Sequence, residues 1–229
     1  MKFQDVDYKE LLENIETFGG FEDSGQRVIL RHDTDSDHGL KKSLKMARIE
    51  ADMGIRAYYY VLHGRDYWGD WPLMLELQNM GHSVGFHNQV VTNAIETFSG
   101  DMVLKGKAND YIKDMLIRHI SDMRSAGLVV TDTSGHGHPT CYTYGYSNHC
   151  VWKGFKKAGD IKQYHLAAFG LKYDAMLIKP GVYISDSGNR WCISKGMLTK
   201  DSPEGSFDTI KKIIKDNTVQ LNIHPQWWE

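Results

Sequence analysis

The sequence predicts an α/β fold built on a mainly parallel sheet or barrel. Segments with apolar residues at helical spacing alternate with short segments rich in β-branched and aromatic residues, as parallel strands and crossover helices do. Glycines close several of the helical segments, which is typical of helix C-termini. The 229 residues, 41% of them hydrophobic, suit one compact core, so we expect a single domain over residues 1–229.

The first half of the chain alternates regularly. Tyr8–Phe18 has apolar residues at helical spacing and ends at Gly19-Gly20, and the short apolar segment Arg27–Arg31 is the first expected strand. The next elements are a helix over Gly39–Met53, a strand over Arg56–Leu62, a helix over Leu73–Met80 and a strand over His82–His87.

The second half contains a long stretch without periodicity. Ser134–Phe155 is rich in Gly, His, Tyr and Asn, and such stretches inside compact domains tend to be functional loops. The elements around it are a helix over Tyr111–Ala126, strands over Leu128–Thr133, Gly181–Ser185 and Trp191–Ser194, a helix over Phe207–Lys215 and a strand over Thr218–Ile223. The pattern therefore predicts about six or seven strands.

Composition excludes several classes of function. The 27 basic and 29 acidic residues form no basic stripe, so we expect no nucleic-acid partner. No apolar run reaches the length of a membrane span, and the polar N-terminus lacks the apolar core of a signal peptide. Cys141, Cys150 and Cys192 are odd in number and form no C-x-x-C pair, which favours free thiols in the cytoplasm.

Acids and histidines follow four of the predicted strands. Asp33 and Asp35 follow the first, His87 ends the third, His136 follows the fourth and His224 follows the last. Each of these residues alone could have a purely structural role, since Asp-x-Asp often forms a turn or a helix cap and a lone histidine often lies in a core. Functional groups of α/β barrels gather at the carboxyl ends of strands, so the coincidence favours a site.

This set of residue types is suited to metal-assisted hydrolysis. One aspartate can bind a divalent metal ion while the other accepts a proton from water, and histidines from other strands complete the mixed nitrogen and oxygen set that zinc prefers. A further histidine can protonate the leaving group.

Five segments, in order, resemble a divergent branch of the polysaccharide deacetylases, which is associated with O-antigen and other surface-polysaccharide synthesis. The family motifs are R-H-D-V-D, G-H-E-I-G-x-H, H-G-x-P with a later N and W, Y-L-T-D-T-G-x-x-W and H-P-x-x-W. The corresponding segments here are Arg31–Asp35, Gly81–His87, His136–Pro139 with Asn148 and Trp152, Tyr183–Trp191 and His224–Trp228.

The resemblance implies a distorted (β/α) barrel of the NodB homology type and removal of an N-acetyl group from a sugar with one divalent metal ion, usually zinc. It assigns Asp33 as the general base and Asp35 and His87 as metal ligands. Because Thr34 separates two aspartates that are adjacent in the family's best-known form, their roles could be exchanged. His224 matches the histidine that protonates the leaving amine, and an acid such as Asp186 would hold it charged.

One position departs from the family pattern. The second histidine of the metal-binding pair should lie four residues after His87, where the chain has Val91, which cannot bind a metal. We therefore expect His136 to be the third ligand, with His138 as the alternative.

Asp186, Arg190, Trp191 and Trp227 are candidates for substrate binding, since aromatic faces suit sugar rings. Each also has a structural reading as a packing or ion-pair residue. Two other functions stay open: hydrolysis of a different amide, such as a formamide or a cyclic ureide, and a non-catalytic glycan-binding or scaffold role that the loss at Val91 would explain.

Overall fold

The computed structural model describes residues 8–25, 27–177, 181–187, 191–195 and 207–228. Its helices are α1 (Tyr8–Glu13), α2 (Gly39–Asp52), α3 (Trp71–Asn79), α4 (Val90–Thr97), α5 (Gly100–Leu104), α6 (Asn109–Ser125), α7 (Pro139–Tyr144) and α8 (Phe207–Asp216). Its strands are β1 (Val28–Thr34), β2 (Tyr58–Leu62), β3 (Ser83–Asn88), β4 (Asp132–Gly135), β5 (Tyr173–Asp174), β6 (Val182–Ser185), β7 (Cys192–Lys195) and β8 (Val219–Ile223). Among these residues, no helix combines the length and hydropathy needed to cross a membrane.

The eight strands form a sheet of order β5-β4-β3-β2-β1-β8-β6-β7. β1 is parallel to β2 and β8, β4 is parallel to β3 and β5, and β6 is parallel to β8, whereas β7 is antiparallel to β6. The α/β prediction with a mostly parallel sheet is confirmed. The predicted count of six or seven strands was too low, partly because β5 has two residues and no readable pattern.

The internal contacts divide the chain into two compact units. The first, here called the terminal unit, comprises the described residues within 1–61, 65–84 and 178–229. The second, called the central unit, comprises residues 62–64 and 85–177.

In the terminal unit, β1 and β8 are buried along their whole length. Such strands normally read as continuous apolar runs, because both faces of a parallel sheet are covered. Here polar residues interrupt the run at alternate positions, with Arg31 and Asp33 on β1 and Gln220 and Asn222 on β8. Arg31 is in register with Asn222, so the buried polar residues of the two strands are neighbours.

The first helix is shorter than the sequence predicted. α1 ends at Glu13 instead of Phe18, because the next residues pair with the start of β1. The amide of Val28 donates to the carbonyl of Thr17 at 2.8 Å, and Gly19 donates to the carbonyl of Val28 at 3.1 Å. These sheet-like bonds replace the helical bonds that the apolar spacing predicted.

In the central unit, the strand predicted over Leu128–Thr133 lies instead at Asp132–Gly135. The guanidinium of Arg124 donates to the carbonyl of Val130 at 2.7 Å, so this carbonyl is bound by a side chain. The aperiodic stretch Ser134–Phe155 contains α7 and a 3₁₀ turn over Asn148–Val151. The short helices α4 and α5 were not predicted either.

Candidate functional site

Asp33, near the end of β1, is fixed by two neighbouring side chains of the terminal unit. Arg31 Nη2 lies 2.5 Å from Asp33 Oδ2, and Arg31 Nε donates to Oδ1 at 3.2 Å. Asn222 Nδ2 donates to the same Oδ2 at 3.0 Å. Burial lowers the pKa of Arg31, but the charge of Asp33 outweighs it and the net pKa is raised. Arg31 thus stays a cation that holds Asp33 as an oriented carboxylate.

His224, directly after β8, is held by the buried carboxylate of Asp186. The Nδ1 atom of His224 lies 2.5 Å from Asp186 Oδ1, and the backbone amide of His224 donates to both oxygens at 3.0 Å. Burial lowers the pKa of His224, but the hydrogen bond and charge of Asp186, with further contributions from Asp33 and Asp35, raise it to about 9. The imidazole is therefore protonated at neutral pH.

Asp35 lies on the other side of the same imidazole. Its Oδ2 atom is 3.6 Å from His224 Nε2, and its side chain is 21% exposed. Of the two aspartates, Asp33 is bound by the guanidinium of Arg31, whereas Asp35 is the more exposed. The proton on His224 Nε2 therefore points to a partly open carboxylate.

Another buried carboxylate, that of Glu50 on α2, contacts the imidazole of His32. Tyr8 Oη donates to Glu50 Oε1, Tyr59 Oη donates to Oε2 at 2.7 Å, and His32 Nε2 lies 2.8 Å from Oε1. Burial raises the pKa of Glu50, but the interactions with His32 and the two tyrosines lower it below its ordinary value. Three partners thus keep a fully buried carboxylate charged, and the cluster links α1, α2, β1 and β2 within the terminal unit.

The central unit contains a pair of adjacent buried histidines, His87 on β3 and His136 after β4. Their ring centroids are 5.1 Å apart, and one nitrogen of each lies within 4.8 Å of the other. His87 Nδ1 lies 3.0 Å from the carbonyl oxygen of Ser134, and His136 Nδ1 contacts Gln89 Oε1. Since a carbonyl oxygen only accepts, both Nδ1 atoms carry a proton, so in the neutral form of each ring the lone pair is on Nε2. Histidines that ligate metals have this arrangement.

His138, the alternative third ligand, has a structural contact. Its Nδ1 atom accepts from the amide of Thr140 at 3.3 Å, which caps α7. Val91, which replaces the family's second histidine, is fully buried in α4. Asn148 fixes the His136 backbone, because its Nδ2 atom donates to the carbonyl of His136 at 2.9 Å.

The predicted substrate-binding residues have different surroundings. Asp186 is fully buried, Trp191 is buried with its ring 6.2 Å from that of Trp228, and Trp227 is 37% exposed. Arg190 lies outside the described residues. Of the four, Trp227 is the exposed aromatic side chain.

Sequence reasoning missed three residues that orient the site: Asn222, Gln89 and Glu50. Alternation along β8 could have indicated Asn222, because it lies two residues before His224 and so faces the same side of the strand. Gln89 and Glu50 had no such signal. Gln89 contacts a residue 47 positions away, and Glu50 lies within a helix of otherwise ordinary composition.

Comparison with known proteins gives no relative: no family model matches the chain, and searches of curated proteins and of solved structures found no match. The chemistry of the two units is therefore the basis for assigning a function.

Proposed function

We propose that this protein is a metal-dependent hydrolase that removes an N-acetyl group from a sugar of a surface polysaccharide or its precursor. The observation that supports this most is His224, a buried imidazole between Asp186 and Asp35 with its pKa raised to about 9. Such a group is a proton donor at neutral pH, which cleavage of an amide requires at the leaving nitrogen.

The proposed metal ligands are Asp35, His87 and His136. One carboxylate and two imidazoles form a donor set that zinc favours, and the carbonyl partners of both histidine Nδ1 atoms leave the Nε2 atoms in the ligating form. When bound, a divalent ion would act as a Lewis acid toward the amide carbonyl. We assign Asp35 to the metal and not Asp33, because the guanidinium of Arg31 already engages Asp33.

The chain's own residues supply the proton transfers. Asp33, kept charged by Arg31, takes a proton from the water that attacks the acetamide carbon. As the carbon–nitrogen bond breaks, His224 donates its Nε2 proton to the nitrogen, and Asp186 stabilises the imidazolium beforehand. The products are acetate and the free amine of the sugar.

The proposal includes a distorted NodB-type barrel, which the mostly parallel eight-stranded sheet and the five resembling segments support. It also includes a cytoplasmic location, which the three free cysteines favour. Exposed Trp227 is the proposed contact to a sugar ring.

The test is metal content by elemental analysis of protein purified without a metal-affinity column, with acetate release from N-acetylated oligosaccharides measured on the same samples. We expect about one zinc or similar ion per chain. His136→Ala should lose the ion and the activity. His138→Ala should keep the ion, because the imidazole of His138 caps α7. Protein that holds no metal and cannot be loaded would favour a glycan-binding role. Metal that survives His136→Ala would move the third ligand to His138 or to water.

A further inference from the structure

We infer that Trp228 is a positioning residue that directs the Asp186 carboxylate at His224 through its indole N–H. Trp228 Nε1 donates to Asp186 Oδ2 at 2.8 Å, while the other oxygen, Oδ1, lies 2.5 Å from His224 Nδ1. The inference deepens the proposed function and rests on it in one respect, the role of His224 as proton donor.

A single carboxylate holds both ends of one short turn. Pro225–Trp227 forms a 3₁₀ turn that is flanked by His224 and Trp228. Asp186 accepts from the His224 amide, from the His224 ring and from the Trp228 ring. The turn thus brings the side chains at its two ends to opposite oxygens of Asp186, which fixes the plane of the carboxylate.

The indole is itself immobilised. Trp228 is 4% exposed, and its ring meets that of Tyr8 edge-on at 5.4 Å. Tyr8 in turn donates to the buried carboxylate of Glu50, and Lys42 Nζ donates to the carbonyl of Trp228 at 3.2 Å. The Glu50 cluster therefore fixes Tyr8, and Tyr8 in turn restricts the movement of the Trp228 indole.

The consequence concerns which nitrogen of His224 faces the reaction. With Oδ2 bound by the indole, Oδ1 is the oxygen presented to the imidazole, so Nδ1 keeps its proton and Nε2 is directed to Asp35. Without the indole donor, the terminal carboxylate torsion of Asp186 is less restricted, because torsions of this kind have broad minima. His224 would then sample orientations in which its Nε2 proton is misplaced.

The test is Trp228→Phe, which keeps an aromatic ring against Tyr8 and Trp191 and removes the N–H donor. Trp152→Phe is the matched control: Trp152 is also buried, and its Nε1 atom has no hydrogen-bond partner among the described residues. The readout is the Nδ1 proton resonance of His224 in nitrogen-15-labelled protein, assigned by its loss in His224→Gln. We expect a downfield resonance that shifts or broadens in Trp228→Phe and is unchanged in Trp152→Phe.

Kinetics supply a second readout. Trp228→Phe should lower kcat for deacetylation about tenfold, with KM and metal content unchanged, since about 1.4 kcal/mol of lost transition-state stabilisation gives this factor. An unchanged His224 resonance in Trp228→Phe, or equal changes in both tryptophan variants, would overturn the inference. If no N-acetylated sugar is a substrate, the proposed function fails while the resonance still decides whether Trp228 positions the Asp186–His224 pair.

Discussion

Two buried histidines, one in each unit, have opposite protonation. In the terminal unit, His224 is 7% exposed and has its pKa raised to about 9, because Asp186 outweighs the cost of burial. In the central unit, His119 on α6 is fully buried, and burial together with His63 and Arg118 lowers its pKa to about 3. Burial acts in the same direction on both imidazoles, so the neighbouring charges decide which one is a cation.

The same contrast distinguishes the candidate functional groups of the two units. In the terminal unit, His224 lies between the carboxylates of Asp186 and Asp35, and the guanidinium of Arg31 binds Asp33. These charged groups are suited to proton transfer. In the central unit, the Nδ1 atoms of His87 and His136 contact a backbone carbonyl of Ser134 and the side-chain amide of Gln89, neither of which is charged. One unit is thus suited to proton transfer and the other to holding a cation.

The largest expected effect is in the terminal unit. His224→Gln removes the proton donor and should lower kcat by about 10²–10⁴-fold, the usual contribution of a general acid. Metal content should stay at the wild-type level, because His224 is outside the proposed ligand set. Acetate release and elemental analysis on the same preparation measure both. A metal-loaded His224→Gln protein with wild-type turnover would remove His224 from the mechanism.

A smaller effect is expected in the central unit. Gln89→Leu removes the acceptor of His136 Nδ1 and should weaken metal affinity by about 10–100-fold, as the loss of such outer partners does. Gln89→Glu, which still offers an oxygen to Nδ1, should restore the affinity. Competition with a chelator of known affinity gives the values. If Gln89→Leu lowers turnover at saturating metal without weakening metal binding, the division of roles between the units is wrong.

The sequence was informative where a pattern is local. β1 was recognisable from the apolar residues at its start, and β8 from its alternating apolar residues. Asp33, Asp35 and His224 were recognisable because they lie at or just after the ends of these two strands. The Asp186–His224 contact joins residues 38 positions apart, and the resemblance to a family, not the pattern, suggested it.

Other features could not be predicted from the sequence pattern, because tertiary contacts determine them. The end of α1 depends on the hydrogen bond between Thr17 and Val28, and the carbonyl of Val130, two residues before β4, is bound by the side chain of Arg124. Glu50 reads as an ordinary polar helix residue until β1 and β2 place His32 and Tyr59 around it. The roles of Gln89 and Trp228 likewise depend on partners that are distant in the sequence.

The smallest expected effect tests the neutral histidine of the comparison through stability. A histidine whose pKa falls from about 6.5 in the unfolded chain to about 3 in the fold binds more protons when unfolded, so its stabilisation is complete above pH 6.5 and declines as the pH falls toward 3. Its contribution to the loss of unfolding free energy between pH 7.5 and 5.5 should be about 1.4 kcal/mol. His119→Phe keeps a ring against His63 and Phe86 and removes this titration, so its stability should fall by that much less than wild type over this interval in urea unfolding. Equal losses in both proteins would show that folding does not lower the pKa of His119, and the contrast with His224 would then not hold.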